Sequence, residues 1–241
     1  MSFLLGFLIY NLVSGLPDIY ISEKTEQIGA TWSQGNVWDK PLIEKFYSLL
    51  KWREDAFVVL DIGAQTGCLT LLAKYFLQST WHAFEPIQEA AVELKANLAL
   101  NQLTNVSVHQ VCVSNRSGEA VLKLPKDTHW GLATLGEKGV RFHTCEERTV
   151  PCITLDEFVQ KEGLERVDFI KVDTEGWEFF VLQGGEAVLR KFRPIILMEF
   201  NRDNMRQCCV SPDEIVQLLE SLSYTWQFVS SEDILCTPVA N

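Results

Sequence analysis

The sequence contains no CxxC pair and only four histidines in 241 residues, and neither residue type falls at metal-ligand spacing. Zinc-ribbon and finger-type designs are therefore excluded. Positive charge is scarce: 21 Lys and Arg stand against 32 Asp and Glu, a formal net charge of −11. Nucleic acids are usually met by a Lys/Arg-rich face, so no nucleic-acid partner is expected, although Lys191, Arg193, Arg202 and Arg206 could form a local basic patch. No internal repeat is visible, which sets aside solenoids and propellers. There is also no apolar run of about 20 residues, the length that spans a bilayer. The most apolar stretch, Met1 to Leu16, is shorter, and the first basic residue is Lys24, so the basic start of a secretory signal is missing too.

What is present is enough hydrophobic sequence, 47% of residues, for a large core. The length suits one domain with a short accessory segment. Residues 1–50 are read as an N-terminal helical cap and residues 51–241 as the main domain. The apolar start, residues 1–16, is read as a helix packed on the body, or docked on a partner or a membrane surface. The seven cysteines are odd in number, and Cys68 and Cys112 have apolar neighbours. Reduced thiols in a cytoplasmic setting are the expectation.

Hydrophobic periodicity gives the architecture. Lys40 to Leu50 has helical spacing, with Leu42, Ile43, Phe46, Leu49 and Leu50 on one stripe. Phe57 to Ile62 is a nearly continuous apolar run, as in strands buried on both faces of a parallel sheet. The pattern then alternates: a helix over Cys68–Leu77, a strand over Trp81–Phe84, a helix over Ala90–Leu100 and a strand over Val106–Val113. Short strands at Val121–Leu124 and Val150–Ile153 flank a variable insertion. A helix over Leu155–Lys161, a strand over Val167–Val172, a helix over Glu178–Lys191 and a strand over Pro194–Phe200 follow. After a helix at Pro212–Ser221, Thr225–Val229 and Asp233–Cys236 read as a terminal antiparallel hairpin. Such alternation predicts a doubly wound, Rossmann-like α/β fold with a mostly parallel sheet, its ligand at the carboxyl ends of the strands.

Three segments carry chemistry. In the first, Asp61-Ile62-Gly63-Ala64-Gln65-Thr66-Gly67 turns a buried strand into a helix. The glycines permit a tight turn and close ligand approach, and the following helix N-terminus favours an anionic group. The spacing is not the GxGxxG of dinucleotide enzymes, which argues against an NAD-dependent oxidoreductase. In the second, Glu85-Pro86 ends the next strand about 20 residues on, where an acid can take ribose hydroxyls. A surface Glu ahead of a helix-starting Pro is the plainer alternative. In the third, Asp173, Glu175 and Glu178 cluster past a buried strand, and Glu199 ends the next one. Glu175 and Glu178 also suit acids at a helix N-terminus, whereas Asp173 directly ends its strand.

Together these segments resemble the FkbM family of S-adenosylmethionine-dependent methyltransferases. The likeness runs from about Ile19 to Phe200. It takes in Asn97 and Asn101, the loop Gly131-Leu132-Ala133-Thr134-Leu135, Thr154-Leu155-Asp156-Glu157-Phe158 and Pro194. Gln65 stands where the family usually has Asn, and Trp177 where it has a smaller residue. The resemblance implies a class I methyltransferase with a seven-stranded sheet and S-adenosylmethionine as cofactor. It implies an acceptor hydroxyl on a sugar or glycan, the alternatives being a polyketide- or lipid-like small molecule, or a cofactor-binding interaction module without turnover. By the same resemblance, Asp61, Gly63, Ala64, Gln65, Thr66 and Gly67 form the methionine end of the cofactor site, Glu85 and Pro86 the ribose end, and Cys112 and Ser114 the adenine border. Asp173 stands beside the transferring methyl.

A neutral hydroxyl is a poor nucleophile, so a base should help remove its proton. Asp173, with Glu175 or Glu199 assisting, is the candidate. The same carboxylates could instead hold a divalent cation, which prefers oxygen ligands; no metal is the favoured reading. Of the seven tryptophans, Trp130 and Trp177 are candidate acceptor contacts, with His129 in the insertion beside them; Trp32 and Trp38 precede the first core strand.

Overall fold

A computed structural model describes residues 7–10, 18–22, 40–126, 130–136 and 145–240, with backbone alone at 7–10 and Trp130. His129, Trp32 and Trp38 lie outside the described residues. Its strands are β1 (Phe7–Tyr10), β2 (Ile19–Ser22), β3 (Val58–Ile62), β4 (Thr80–Phe84), β5 (Val106–His109), β6 (Cys112–Val113), β7 (Gly118–Pro125), β8 (Cys145–Ile153), β9 (Phe169–Val172), β10 (Ile195–Glu199), β11 (Tyr224–Phe228) and β12 (Asp233–Pro238). Seven of them form one sheet in the order β5-β4-β3-β9-β10-β12-β11. The first five of that order run parallel, and β12 is inserted antiparallel between β10 and β11. This is the doubly wound, mostly parallel sheet with a terminal hairpin that the hydrophobic pattern predicts.

Side chains of a strand point alternately to opposite faces, so each core strand feeds two cores. Val59 packs with Phe46, Leu72, Trp81 and Phe169 on one face. Leu60 and Ile62 pack with Phe158, Val181, Leu189 and Met198 on the other. Winding proceeds outward from β3 through β4 to β5, then resumes at β9 on the opposite side of β3. The crevice at the carboxyl ends of β3 and β9 is therefore the topological switch point, where ligands bind in such sheets.

Several expectations are corrected in detail. Phe7–Tyr10 is not helical: it pairs antiparallel with β2. That hairpin is tied to the helix Gln88–Leu100 by Asn101, which accepts from Tyr20 N at 3.0 Å and donates to Tyr20 O at 2.6 Å. The segment after the glycine turn is a short 3-10 helix, Thr70–Tyr75, rather than an α-helix. The single strand read over Val106–Val113 is two, because β6 leaves the main sheet to join β8 and β7. Both insertion strands are longer than read, and a bridge between Lys123 and Thr134 folds the Gly131–Leu135 loop back onto β7. The helix read over Glu178–Lys191 breaks into Glu178–Gln183 and Glu186–Phe192. At Gly184 a Cβ would lie 2.0 Å from the carbonyl oxygen of Ser114, so this break seats the insertion sheet against the body.

Some motif residues turn out to be builders. Thr154 caps Leu155–Lys161 by accepting from Glu157 N. Asp156 accepts from Ala187 N and Val188 N, fixing the start of the next helix. Pro194 O receives the Tyr224 hydroxyl at 2.9 Å, locking the terminal hairpin.

Candidate active site

A cavity of about 660 Å³ opens at the switch point. Its lining includes Asp61, Gly63, Ala64, Gln65, Glu85, Pro86 and Cys112, together with Asp173, Glu175, Trp177 and Glu199. Gly131 and Leu132, from the short turn that begins at Trp130, also border it. Thr66, Gly67 and Ser114 are not in the lining. Asn97 Nδ2 donates to Thr66 O at 2.9 Å, and a Cβ on Gly67 would strike Leu94 at 2.4 Å, so both shape the turn from behind. Ser114 Oγ accepts from the Trp177 indole at 2.9 Å and so holds a wall residue.

The glycine turn is built by close approach. Gly63 has φ +81°, and a Cβ there would lie 1.8 Å from the Asp173 carbonyl oxygen. The amides of Gly63 and Ala64 both donate to Phe84 O at 3.0 Å, which lashes the turn to the end of β4. There Glu85 accepts from Gln65 N at 2.9 Å and Ile87 N at 2.8 Å, one bond to each oxygen. Burial pushes the Glu85 carboxyl up to about 7 against these bonds. A carboxylate has about four lone-pair sites, so Glu85 retains acceptor capacity on the cavity side for ligand hydroxyls.

Lys171, which the motif reading did not single out, organises this end. It is buried in the otherwise apolar β9, opposite Asp61 in the register. Its ammonium donates to Gly63 O at 2.9 Å and lies 3.7 Å from Asp61 and 3.3 Å from Asp173. Asp61 is fully buried; one oxygen accepts from Thr70, and the other has no hydrogen-bond partner among the described residues. Desolvation raises its pKa, opposed chiefly by Lys171. A lysine inside an apolar strand was the available signal, since such a residue is almost never buried unless paired.

The other end is acidic. Asp173, Glu175 and Glu199 each bring an oxygen within 4.8 Å of the others. Oxygen donors at this spacing could hold a hard cation, but the cluster alone assigns none. Glu175 is not at a helix N-terminus: it sits in the left-handed region at φ 54°, ahead of the helix that starts at Glu178. Its carbonyl accepts from Thr134 Oγ1 at 2.9 Å. Glu178 is wholly buried and one of its oxygens accepts from Thr174 N, Thr174 Oγ1 and Gly176 N, so it ties the acidic loop rather than facing the cavity. Burial raises it to about 7. Glu199 is pushed up to about 10 by burial and then by the negative charges of Asp173, Glu178 and Glu175. Asn204 was a second omission: its Nδ2 reaches both Glu175 and Glu199. No sequence signal marks it, because an Asn five residues past a strand end reads as an ordinary helix residue.

Strand order, an inserted antiparallel β12 and a glycine turn at the switch point define a class I methyltransferase fold. Solved structures agree on the fold. The Streptococcus mutans protein SMU.1697c, solved in complex with SAH, has a TM-score of 0.51 at 9% identity, covering 82% of this chain and 97% of its own. A methyltransferase FkbM from Methylobacillus flagellatus has a TM-score of 0.50 at 15% identity, over 79% of this chain and 47% of that one. Residues 61–225 match the Methyltransferase FkbM domain, well over half of the chain, which therefore belongs to that family. The 2-O-methyltransferase NoeI of Sinorhizobium fredii is 27% identical over 187 residues, 71% of this chain and 74% of NoeI. Methyltransferase 1 of Beauveria bassiana is 27% identical over 158 residues, and the match spans 59% of this chain and 63% of the fungal protein. All seven cysteines carry free thiols, and no helix among the described residues is long and apolar enough to cross a membrane.

Proposed function

We propose that this chain is an S-adenosylmethionine-dependent O-methyltransferase acting on a hydroxyl of a sugar or glycan. The observation that carries the proposal is the single cavity that joins the Gly63 turn and Glu85 to the acid cluster of Asp173, Glu175 and Glu199. The cofactor end fits its group. Glu85 is desolvated with one backbone amide on each oxygen, and one buried oxygen of Asp61 has no hydrogen-bond partner among the described residues. Ala64, Gln65 and Pro86 complete that end, with Cys112 on the adenine side. When bound, S-adenosylmethionine supplies an activated methyl group on a sulfonium.

The chain's own residues then have three tasks. Gly63 and Glu85 fix position, which can contribute several kcal/mol when reacting atoms are aligned. Asp173, anchored by its amide to Ile62 O at 3.0 Å and paired with Lys171, takes the proton of the acceptor hydroxyl. Glu199 keeps its proton and donates a hydrogen bond, while Glu175 stands as the second acceptor. A site offering both donors and acceptors suits a polyol, and Trp177 offers it an aromatic face. The name of NoeI, a 2-O-methyltransferase, supports oxygen as the acceptor atom.

A hydrophobic alcohol of polyketide or lipid type is the second reading, favoured by the apolar lining residues Leu42, Ile43, Leu122, Leu132 and Leu135. Calorimetric titration with S-adenosylmethionine and S-adenosylhomocysteine, followed by labelled-methyl transfer to methyl glycosides and to long-chain alcohols, separates the cases. Binding with glycoside methylation supports the first reading. Turnover of alcohols alone favours the second, and absence of cofactor binding removes both.

A further inference from the structure

The insertion sheet carries two thiols whose chemistry the proposed reaction does not use. Cys112 in β6 stands opposite Cys152 in β8, and these two strands run parallel. Register partners of parallel strands point to one face, and both cysteines pack in the small core with Ile87, Ala90, Leu122 and Leu124. Val113 and Ile153, one residue on, turn to the other side and pack in the main core. Both cysteines are buried free thiols, and Cys112 also lines the cavity. The Cys112 thiol hydrogen-bonds to Cys152 and lowers its pKa, against the opposing effect of desolvation. A thiolate therefore forms most readily at Cys152, and the thiolate is the nucleophilic form. Adjacent strands lie about 4.7–4.9 Å apart, inside the Cα separation of about 4.4–6.8 Å that a disulfide spans. A bridge also brings the Cβ atoms to about 3.8 Å, so closing one draws the strands together. The strand that yields is β6. It has two residues and is paired on one side alone, whereas β7 holds β8 from Cys145 to Cys152.

We propose that Cys112 and Cys152 form an oxidation site, at which hydrogen peroxide closes a disulfide that pulls Cys112 off the cavity wall and weakens cofactor binding. The Cys152 thiolate attacks one peroxide oxygen and the O–O bond breaks. Hydroxide leaves, takes up a proton and becomes water, and Cys152 becomes a sulfenic acid. The Cys112 sulfur then attacks the Cys152 sulfur. The S–S bond forms, the S–O bond breaks, and a second water leaves with the Cys112 proton. Two thiols lose two electrons and the peroxide gains them. Peroxide reaches the pair through the cavity, on whose wall Cys112 lies. A bridge that must draw two strands together is strained, and strained disulfides are the readily reduced ones. A dithiol reductant, itself oxidised to its disulfide, therefore restores both thiols. The weakened binding rests on the cofactor reading above; the disulfide does not.

The test treats the reduced full chain with a slight excess of hydrogen peroxide, alkylates the remaining thiols under denaturing conditions, and maps the peptides without reduction. The expected product is a Cys112–Cys152 linked peptide that forms ahead of any other link and disappears with dithiothreitol. Calorimetry on the oxidised chain should show S-adenosylhomocysteine affinity lower by about tenfold or more, the scale on which a pocket wall misfitting by one methylene is felt. Dithiothreitol should restore it. Cys152→Ser and Cys152→Ala, neither of which alters a cavity-lining residue, should bind as the reduced wild type does and keep that affinity under peroxide. Oxidation of either cysteine to a sulfinic acid with no link, or links that join other cysteines instead, overturns the proposal. So does a linked chain whose affinity is unchanged, or a Cys152 variant that loses affinity to peroxide as wild type does. If the reduced chain binds no S-adenosylhomocysteine, the cofactor reading has failed, and the mapped link and its reversal alone decide the oxidation site.

Discussion

The two ends of the cavity use opposite electrostatic solutions. At the glycine turn, Lys171 compensates Asp61 and Asp173 from inside the sheet, and Glu85 is saturated on its inner side by two backbone amides. At the acid cluster, the Asn204 amide reaches both Glu175 and Glu199, and burial with the neighbouring carboxylates raises the Glu199 pKa. The first arrangement fixes geometry at constant charge, which suits binding. The second leaves a proton to be moved, which suits chemistry. Substitutions at the two ends should therefore fail differently.

The largest effect is expected from Lys171→Met. It strands fully buried Asp61 beside Asp173 with no cation. Breaking a buried pair by removing one partner costs about 3–5 kcal/mol, read from the denaturant midpoint. A variant as stable as wild type would mean that Asp61 is already neutral, in line with the upward direction of its pKa. Next, Asp173→Asn should lower turnover by about 10²–10⁴-fold, the range for loss of a general base, while cofactor affinity changes by no more than a few-fold. Full turnover at saturating acceptor would sink Asp173 as proton acceptor.

Glu85→Gln belongs to the binding end. It removes an anionic acceptor but keeps the shape, and hydrogen bonds to charged groups are worth about 1.5–3 kcal/mol, so S-adenosylhomocysteine affinity should fall by about 10- to 150-fold. The pH dependence has a definite sign. Glu85, at about 7, protonates in the folded protein as pH falls, so affinity should weaken below that value. Stability should go the other way. Glu85, Glu178 and Glu199 all lie above their ordinary value of 4.5. Between that value and their folded values the native state holds more protons than the unfolded chain, so stability drops as pH rises through the window. Denaturation across pH 5 to 9 checks it; a flat profile would contradict the burial of these acids.

The same contrast explains what was legible in the sequence. Glu85, Asp173 and Glu199 end strands, and strand ends can be read from hydrophobic runs, so the fold and most of the cavity wall follow from periodicity. Lys171 was legible in principle, as a charge inside an apolar strand, but its partners lie in β3 and in the loop after its own strand. Asn204 was not legible. Its role depends on where the helix after β10 places one amide relative to a left-handed Glu175, and no local pattern encodes that placement. Thr66, Gly67 and Ser114 show the converse: residues inside the motif segments that serve the cavity from behind. The break at Gly184 was hidden because its cause, the Ser114 carbonyl, belongs to a distant insertion.

The smallest effect, Trp177→Phe, probes where the two ends meet. The indole lines the cavity, lies tilted at 33° to Phe180 with ring centroids 4.1 Å apart, and donates to Ser114 Oγ at 2.9 Å. Phe keeps one aromatic ring but loses the indole N–H and part of the ring surface; the hydrogen bond alone accounts for a net cost of about 0.5–1.5 kcal/mol. If Trp177 is an acceptor face steadied by Ser114, the loss should appear as a few-fold rise in acceptor KM with kcat and cofactor affinity unchanged. A matching variant, Ser114→Ala, should raise KM by no more than Trp177→Phe does, and the double variant no more than Trp177→Phe alone, because the Ser114 bond is already lost there. Additive effects would mean that Ser114 acts through the neighbouring β6 and the cofactor side instead, and would move Trp177 from the acceptor wall to the packing beneath it.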